Sequence, residues 1–209
     1  MLVMTIDQIG SRVVGDRVDA LLSTLVERVH DGRPGVVRAF DRTVGDEVQG
    51  AFDDPATVVD VALRVLRTGE WTVGIGAGDV VAPLPLAVRA GQGSAFVLAR
   101  EAVEAAKSRA RAVPLAVRGA EHEAAADAEA VLALVGAVRE RRTTAGWAAV
   151  DAVTERPDAT QDELAATLGI TQQAVSQRLR TAMWAEEVAA RAAAARLLIR
   201  AQGAVGGDR

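Results

Sequence analysis

Apolar residues in this chain recur first with alternating strand and helix periods, then with a helical period alone. Residues 2–6, LVMTI, are a short apolar run that predicts a buried strand. From Asp16 to His30 apolar positions return every three or four residues (Val18, Leu21, Leu22, Leu25, Val26, Val29), and Gly32, Pro34 and Gly35 stop that helix. Residues 36–44 and 48–52 predict two strands joined by the tight turn Gly45-Asp46-Glu47. Asp54-Pro55 is a cap followed by a first-turn proline, and the helix it starts runs to Arg67. Residues 71–76 and 79–82 predict extended structure, and 83–93 a Pro/Gly-rich loop. A helix follows over about 94–108, then an edge strand over 112–117 marked by Pro114. The order βαββαβ, with an extra helix and strand, is the ferredoxin-like arrangement within an α+β chain. From Ala120 the chain is Ala-, Glu- and Arg-rich and helical in period, so a division is expected near Gly119, giving domains 1–119 and 120–209. Helices are expected over 121–142, 145–154 and 186–201, and a frayed end over 203–209.

Within the helical part, residues 160–180, TQDELAATLGITQQAVSQRLR, have the pattern of a helix-turn-helix. Leu164, Ala165 and Leu168 share one side of a first helix, and Gly169 stands where the chain must turn with positive φ. Ile170 plugs the corner, Thr171 caps a second helix, and Val175 and Leu179 lie one turn apart on its inner side. Ala165 is small where the two helices cross. The other side carries Gln172, Gln173, Ser176, Gln177 and Arg180, with Arg178 beside them; such side chains reach base edges and carry matching donors and acceptors. A structural hairpin in a helical bundle would show the same small and apolar residues. The outer side argues for nucleic acid, because no acid occurs between Thr171 and Ala185, where a merely solvated face mixes Glu with Lys. The DNA-contacting set is therefore Thr171, Gln172, Gln173, Ser176, Gln177, Arg178 and Arg180.

Composition adjusts this picture in a few places. Half of the 209 residues are apolar but only 3% are aromatic, so the core is built from Val, Leu and Ala. Cysteine is absent and the two histidines, His30 and His122, are far apart, which excludes disulfides, thiolate chemistry and a His-rich metal site. The start is too short and too early-acidic for a signal peptide, and no apolar run spans a bilayer, so a soluble cytoplasmic protein is expected. The net charge of −4 opposes nucleic-acid binding, yet residues 171–209 hold six Arg and three acids, a local +3. With few phosphate contacts per subunit, DNA binding is expected to need a homodimer.

Three pieces of the first domain carry candidate chemistry. Asp7 ends the first strand, Asp46 sits in the hairpin turn, and WTVGIGAGDV (71–80) is glycine-rich. Neighbouring strands would bring Asp7 and Asp46 together, as two carboxylates that hold Mg²⁺ against a nucleotide triphosphate. Glycines 10, 45, 76 and 78 would admit phosphates to backbone N–H groups. These residues are also explained as turn acids and a strand-end cap.

These pieces resemble class III nucleotide cyclases, with their Asp-containing first strand, Gly-Asp hairpin and GIxxG strand. The GDEVQG hairpin (45–50), the helix SAFVLAREAVEAAKS (94–108) and the terminal helix-turn-helix, in that order over nearly the full chain, are more closely similar to SatD-like bacterial proteins. The cyclase resemblance implies metal carboxylates at Asp7 and Asp46, a transition-state arginine at Arg100, a nucleotide contact at Gly45, and Arg42 in the place of a base-reading lysine. Phe96 falls where cyclases have an asparagine that orients the ribose, so cyclase activity is not expected. Phe96 also fits as a core residue beside Ala99 and Val103. The expected function is DNA binding in transcriptional regulation, with the front domain sensing a nucleotide, dimerising, or both. The alternatives are an Mg-dependent nucleotide-binding or cyclase enzyme with a DNA-targeting tail, and a tail that binds protein.

Overall fold

A computed structural model describes residues 1–30 and 32–203. Among these, five strands form one sheet: β1 (Leu2–Gln8), β2 (Val36–Arg42), β3 (Glu47–Phe52), β4 (Trp71–Ala77) and β5 (Leu115–Gly119). The spatial order is β2-β3-β1-β4-β5. All pairs are antiparallel except β4 with β5, which are parallel and joined by a helical crossover. α1 (Ser11–Val14) and α2 (Val18–Leu25) follow β1, α3 (Pro55–Leu66) links β3 to β4, and α4 (Ser94–Ala106) links β4 to β5. α2 is shorter than the apolar period predicts; beyond Leu25 the chain continues in single turns, Val29 N–H bonding Leu25 O. The strand expected over 79–82 is a loop, because Val81 N–H is taken by Gln92 O and Asp79 O by Ala95 N–H.

Alternation along the strands sends side chains to two faces. Leu2, Met4, Ile6, Val48, Phe52, Val73, Ile75, Leu115 and Val117 pack beneath α2 and α3. Two later helices, α5 (His122–Glu140) and α9 (Trp184–Ala201), join the same core through Ala124, Ala128, Leu132, Ala194 and Leu198. The division expected near Gly119 falls inside this core rather than between two cores. The Met1 ammonium is tied down as well, donating to Gly78 O at 2.9 Å and to the Gln202 side chain just after α9. Residues 204–209, most of the expected frayed end, lie outside the described residues.

The opposite face is covered by α4 together with Val80, Leu84 and Val88 of the segment before it, and the glycines of β4 explain how α4 sits so close. A Cβ on Gly74 would stand 2.2 Å from Val103 N, and one on Gly76 2.2 Å from Ala95 O. The helix backbone thus rests directly on β4. Gly76 does not open onto a phosphate; its space is filled by α4. Gly78 is closed similarly, 2.6 Å from Ser94 Oγ. Phe96 packs with Val3, Ala51 and Val88 as a core residue.

Between α5 and α9 lie α6 (Thr144–Glu155), α7 (Gln161–Leu168) and α8 (Gln172–Thr181). They have a small core of their own, Ala152, Leu164, Ala165 and Val175, edged by Leu168, Ile170 and Leu179.

Candidate nucleic-acid interface

The α7–α8 corner follows from local chemistry. Thr160 caps α7 by accepting from Glu163 N–H while the Glu163 carboxylate takes Thr160 N–H, a reciprocal capping box. Gly169 closes α7 at φ +65°, in the left-handed region that glycine enters cheaply. Ile170 N–H bonds back to Ala165 O at 3.0 Å, and Thr171 Oγ1 accepts Ala174 N–H at 3.2 Å to start α8.

With Val175 fully buried and Leu179 half-buried, α8 turns one stripe outward. Gln173, Gln177 and Arg180 are exposed at i, i+4 and i+7. Thr171 and Gln172 are exposed but engaged, Thr171 as the cap and Gln172 with the Gln161 side chain. Ser176 and Arg178 are half-buried at the two flanks, and Arg178 borders a hollow shared with Arg141, Arg142, Thr143 and Gly146.

A polar hub fixes these helices to the sheet. Glu187 of α9, its side chain 1% exposed, accepts from Arg139 at 2.5 Å and from Arg142 at 2.7 Å. Arg139 also donates to Leu63 O of α3, and Arg142 to Ala182 O at the α8–α9 junction. Trp147 of α6 lies against three guanidinium groups, Arg67 at 3.7 Å, Arg142 at 4.5 Å and Arg139 at 4.8 Å. Arg67 makes a two-pronged bond to Asp151 of α6, at 2.6 and 2.8 Å. Burial pulls the Arg139 guanidinium below its ordinary pKa, and Arg142 and Arg191 add to this while Glu187 opposes it. The hub was missed in the sequence. Its signal was there, because Arg139 continues the buried positions Leu132 and Val135 of α5 at helical spacing.

Where β1 finishes and β4 begins, Asp7 and Asp46 line one open hollow with Gly10, Arg12, Lys107 and Arg109. The two carboxylates are close enough for Asp46 to raise the pKa of Asp7; burial is the larger cause, and Lys107 opposes both. The Lys107 ammonium sits 3.1 Å from the Asp7 carboxylate. Gly45 forms the hairpin turn at φ +66°. Arg100 is exposed on α4, seven residues or about 10 Å along the helix from Lys107. Arg42 is not part of this group. It pairs in register with Val48, on the opposite face from Asp7 and Glu47, and its guanidinium is bonded to Asp16. Among the described residues, no cluster of three or more His, Asp or Glu could hold a metal, and no helix is long and apolar enough to cross a membrane.

No protein-family model, curated relative or solved structure matches the chain.

Proposed function

We propose that this protein binds double-stranded DNA, with α8 as the helix that enters the major groove, and that it acts as a transcriptional regulator. The observation that carries the proposal is the stripe Gln173-Gln177-Arg180, exposed on a helix without a single acid. Glutamine pairs with adenine through two hydrogen bonds, and arginine pairs with guanine or neutralises phosphate. α7, Gly169 and α8 form the helix-turn-helix of this proposal, held at one orientation by the hub. The sheet, with its 2-3-1-4 order, is the ferredoxin-like part and serves dimerisation or sensing, as the SatD-like resemblance suggests. The test uses the full chain, because α5 and α9 belong to the sheet core and a 120–209 fragment would lose that support. Duplexes selected from a random pool are measured by fluorescence anisotropy against the chain and its Gln173→Ala/Gln177→Ala/Arg180→Ala variant. Selective binding that the triple variant loses supports the proposal. Equal binding by both defeats it.

A second reading is favoured by the cations Arg12, Lys107, Arg109 and Arg111 that line one hollow with Asp7 and Asp46. The hollow takes a nucleotide through its phosphates and does not turn it over, since Phe96 is committed to the core. Mg²⁺ fits this donor set poorly: there are only two carboxylates, and Lys107 already neutralises one. Calorimetry with triphosphates, with and without Mg²⁺, together with product analysis, tests the reading. Binding that needs no Mg²⁺ and yields no cyclic product is expected. Absence of any heat, or formation of cyclic nucleotide, refutes it.

A further inference from the structure

The outer face of α9 is unlike a solvated helix surface. It lies opposite the buried Glu187, Ala194 and Leu198. Val188 is 48% exposed and Ile199 54%, so a branched apolar side chain is left in water near each end of the helix. Between them the exposed residues are Ala189, Ala192 and Arg196. A face that meets only water ordinarily mixes charges of both signs along its length.

The charges of α9 are sorted by sign and by side. Glu187 and Arg191 point inward and are paired, Glu187 with Arg139 and Arg142, Arg191 with Asp60. The outward charges are Glu186 in the first turn and Arg196 and Arg200 toward the end. Among the described residues, none of these three side chains has an ion-pair or hydrogen-bond partner. The face is thus acidic at its start and basic at its end, with both signs unmet.

Such a helix is complementary to a reversed copy of itself. At 3.6 residues per turn, Glu186, Arg196 and Arg200 fall on one flank of the outer face, and Val188 and Ile199 on the other. A two-fold axis across two antiparallel copies sets like flank against like flank. Glu186 of one copy then meets Arg200 of the second copy, Val188 meets Ile199, and Ala192 meets Ala195. All three pairings are centred level with Ala193, so one register makes them together. Alanine at the crossing lets the two axes approach to about 8 Å.

We infer that this protein forms a homodimer through α9, two copies packed antiparallel about a two-fold axis level with Ala193. An 18-residue helix is about 27 Å long, so the contact is small and dissociation of about micromolar order is expected. The dimer does not rest on DNA binding. For the proposed function it supplies the second α8 that a chain with few phosphate contacts needs, and it leaves the sheet to sensing.

The experiment uses the full chain without DNA. Sedimentation velocity over a range of concentrations should show a monomer–dimer equilibrium. Glu186→Arg and Arg200→Glu each bring like charges together twice per dimer, and each should weaken it roughly tenfold. The double variant restores opposite charges and should return to within about threefold of the parent. Circular dichroism of each variant confirms the fold. Direction is read by disulfide trapping, since the chain has no cysteine of its own. The Val188→Cys variant should oxidise to the Ile199→Cys variant and not to itself, because two copies of residue 188 lie about 16 Å apart along an antiparallel pair. A chain that is monomeric at every concentration overturns the proposal and leaves the face to a different protein. A dimer that neither reversal weakens, or one in which Val188→Cys traps itself, overturns it as well. A dimer that behaves as expected in a chain that binds no duplex defeats the DNA reading alone.

Discussion

Replacing Glu187 by alanine should be the most damaging single change to how α8 is held. The carboxylate lies 2.5 Å from Arg139 and 2.7 Å from Arg142, with the Arg191 guanidinium at 3.8 Å, and almost none of it meets water. Its removal leaves two buried guanidinium groups without their counter-charge. Breaking a buried pair in this way costs about 3–5 kcal/mol. The carbonyls of Leu63 and Ala182 and the Trp147 ring still serve the arginines, which places the loss near the middle, at about 4 kcal/mol. In a chain of this size each kcal/mol is about 2–4 °C of melting temperature, so a drop of about 8–16 °C is expected. Glu187→Gln keeps an acceptor and the volume but not the charge, and should lose about half as much. Thermal unfolding followed by tryptophan fluorescence measures both, with Trp147 as the local reporter. A melting temperature within about 2 °C of the parent for Glu187→Ala would refute the claim that the hub fixes the helices to the sheet.

Gly76→Ala should destabilise by at least about 1–3 kcal/mol, because the new methyl meets helix backbone at 2.2 and 2.3 Å. Gly78→Ala should cost less, since its nearest contact is the Ser94 hydroxyl; urea unfolding of both separates the two cases. Glu129 is pushed up by burial, but Val117 N–H, Arg111 and Arg118 overcome this and leave its pKa below the ordinary 4.5. Its contribution is therefore present above pH 4.5 and lost as pH falls through the lowered value. Glu129→Gln should narrow the stability difference between neutral and acid pH, as denaturant midpoints across that range will record. Arg180→Ala should weaken all duplexes alike and lower the salt slope by about one, read from anisotropy at several salt concentrations.

Period and turn chemistry make most elements legible in the sequence. The Gly45 hairpin, the Asp54 cap of α3 with its side chain on Ala56 and Thr57 N–H, and the Gly169 corner all depend on neighbours within a few residues. What depended on distant neighbours was not legible. The return of α9 onto the sheet cannot be seen in its Ala-rich sequence, which suits a free helix equally well. The β4 glycines resemble a phosphate cradle until α4 is placed on them. Arg42 lies near Asp7 in the expected hairpin, yet strand alternation sends it to the other face, where one residue of register decides the matter.

The most direct test of DNA reading by α8 is the specificity ratio of Gln173→Ala in the full chain. Affinity is measured by anisotropy for the best selected duplex and for single-base variants of it. One position should lose about 1–3 kcal/mol of discrimination while non-specific affinity stays unchanged. A ratio equal to that of the parent at every position would contradict the assignment of α8 as the reading helix.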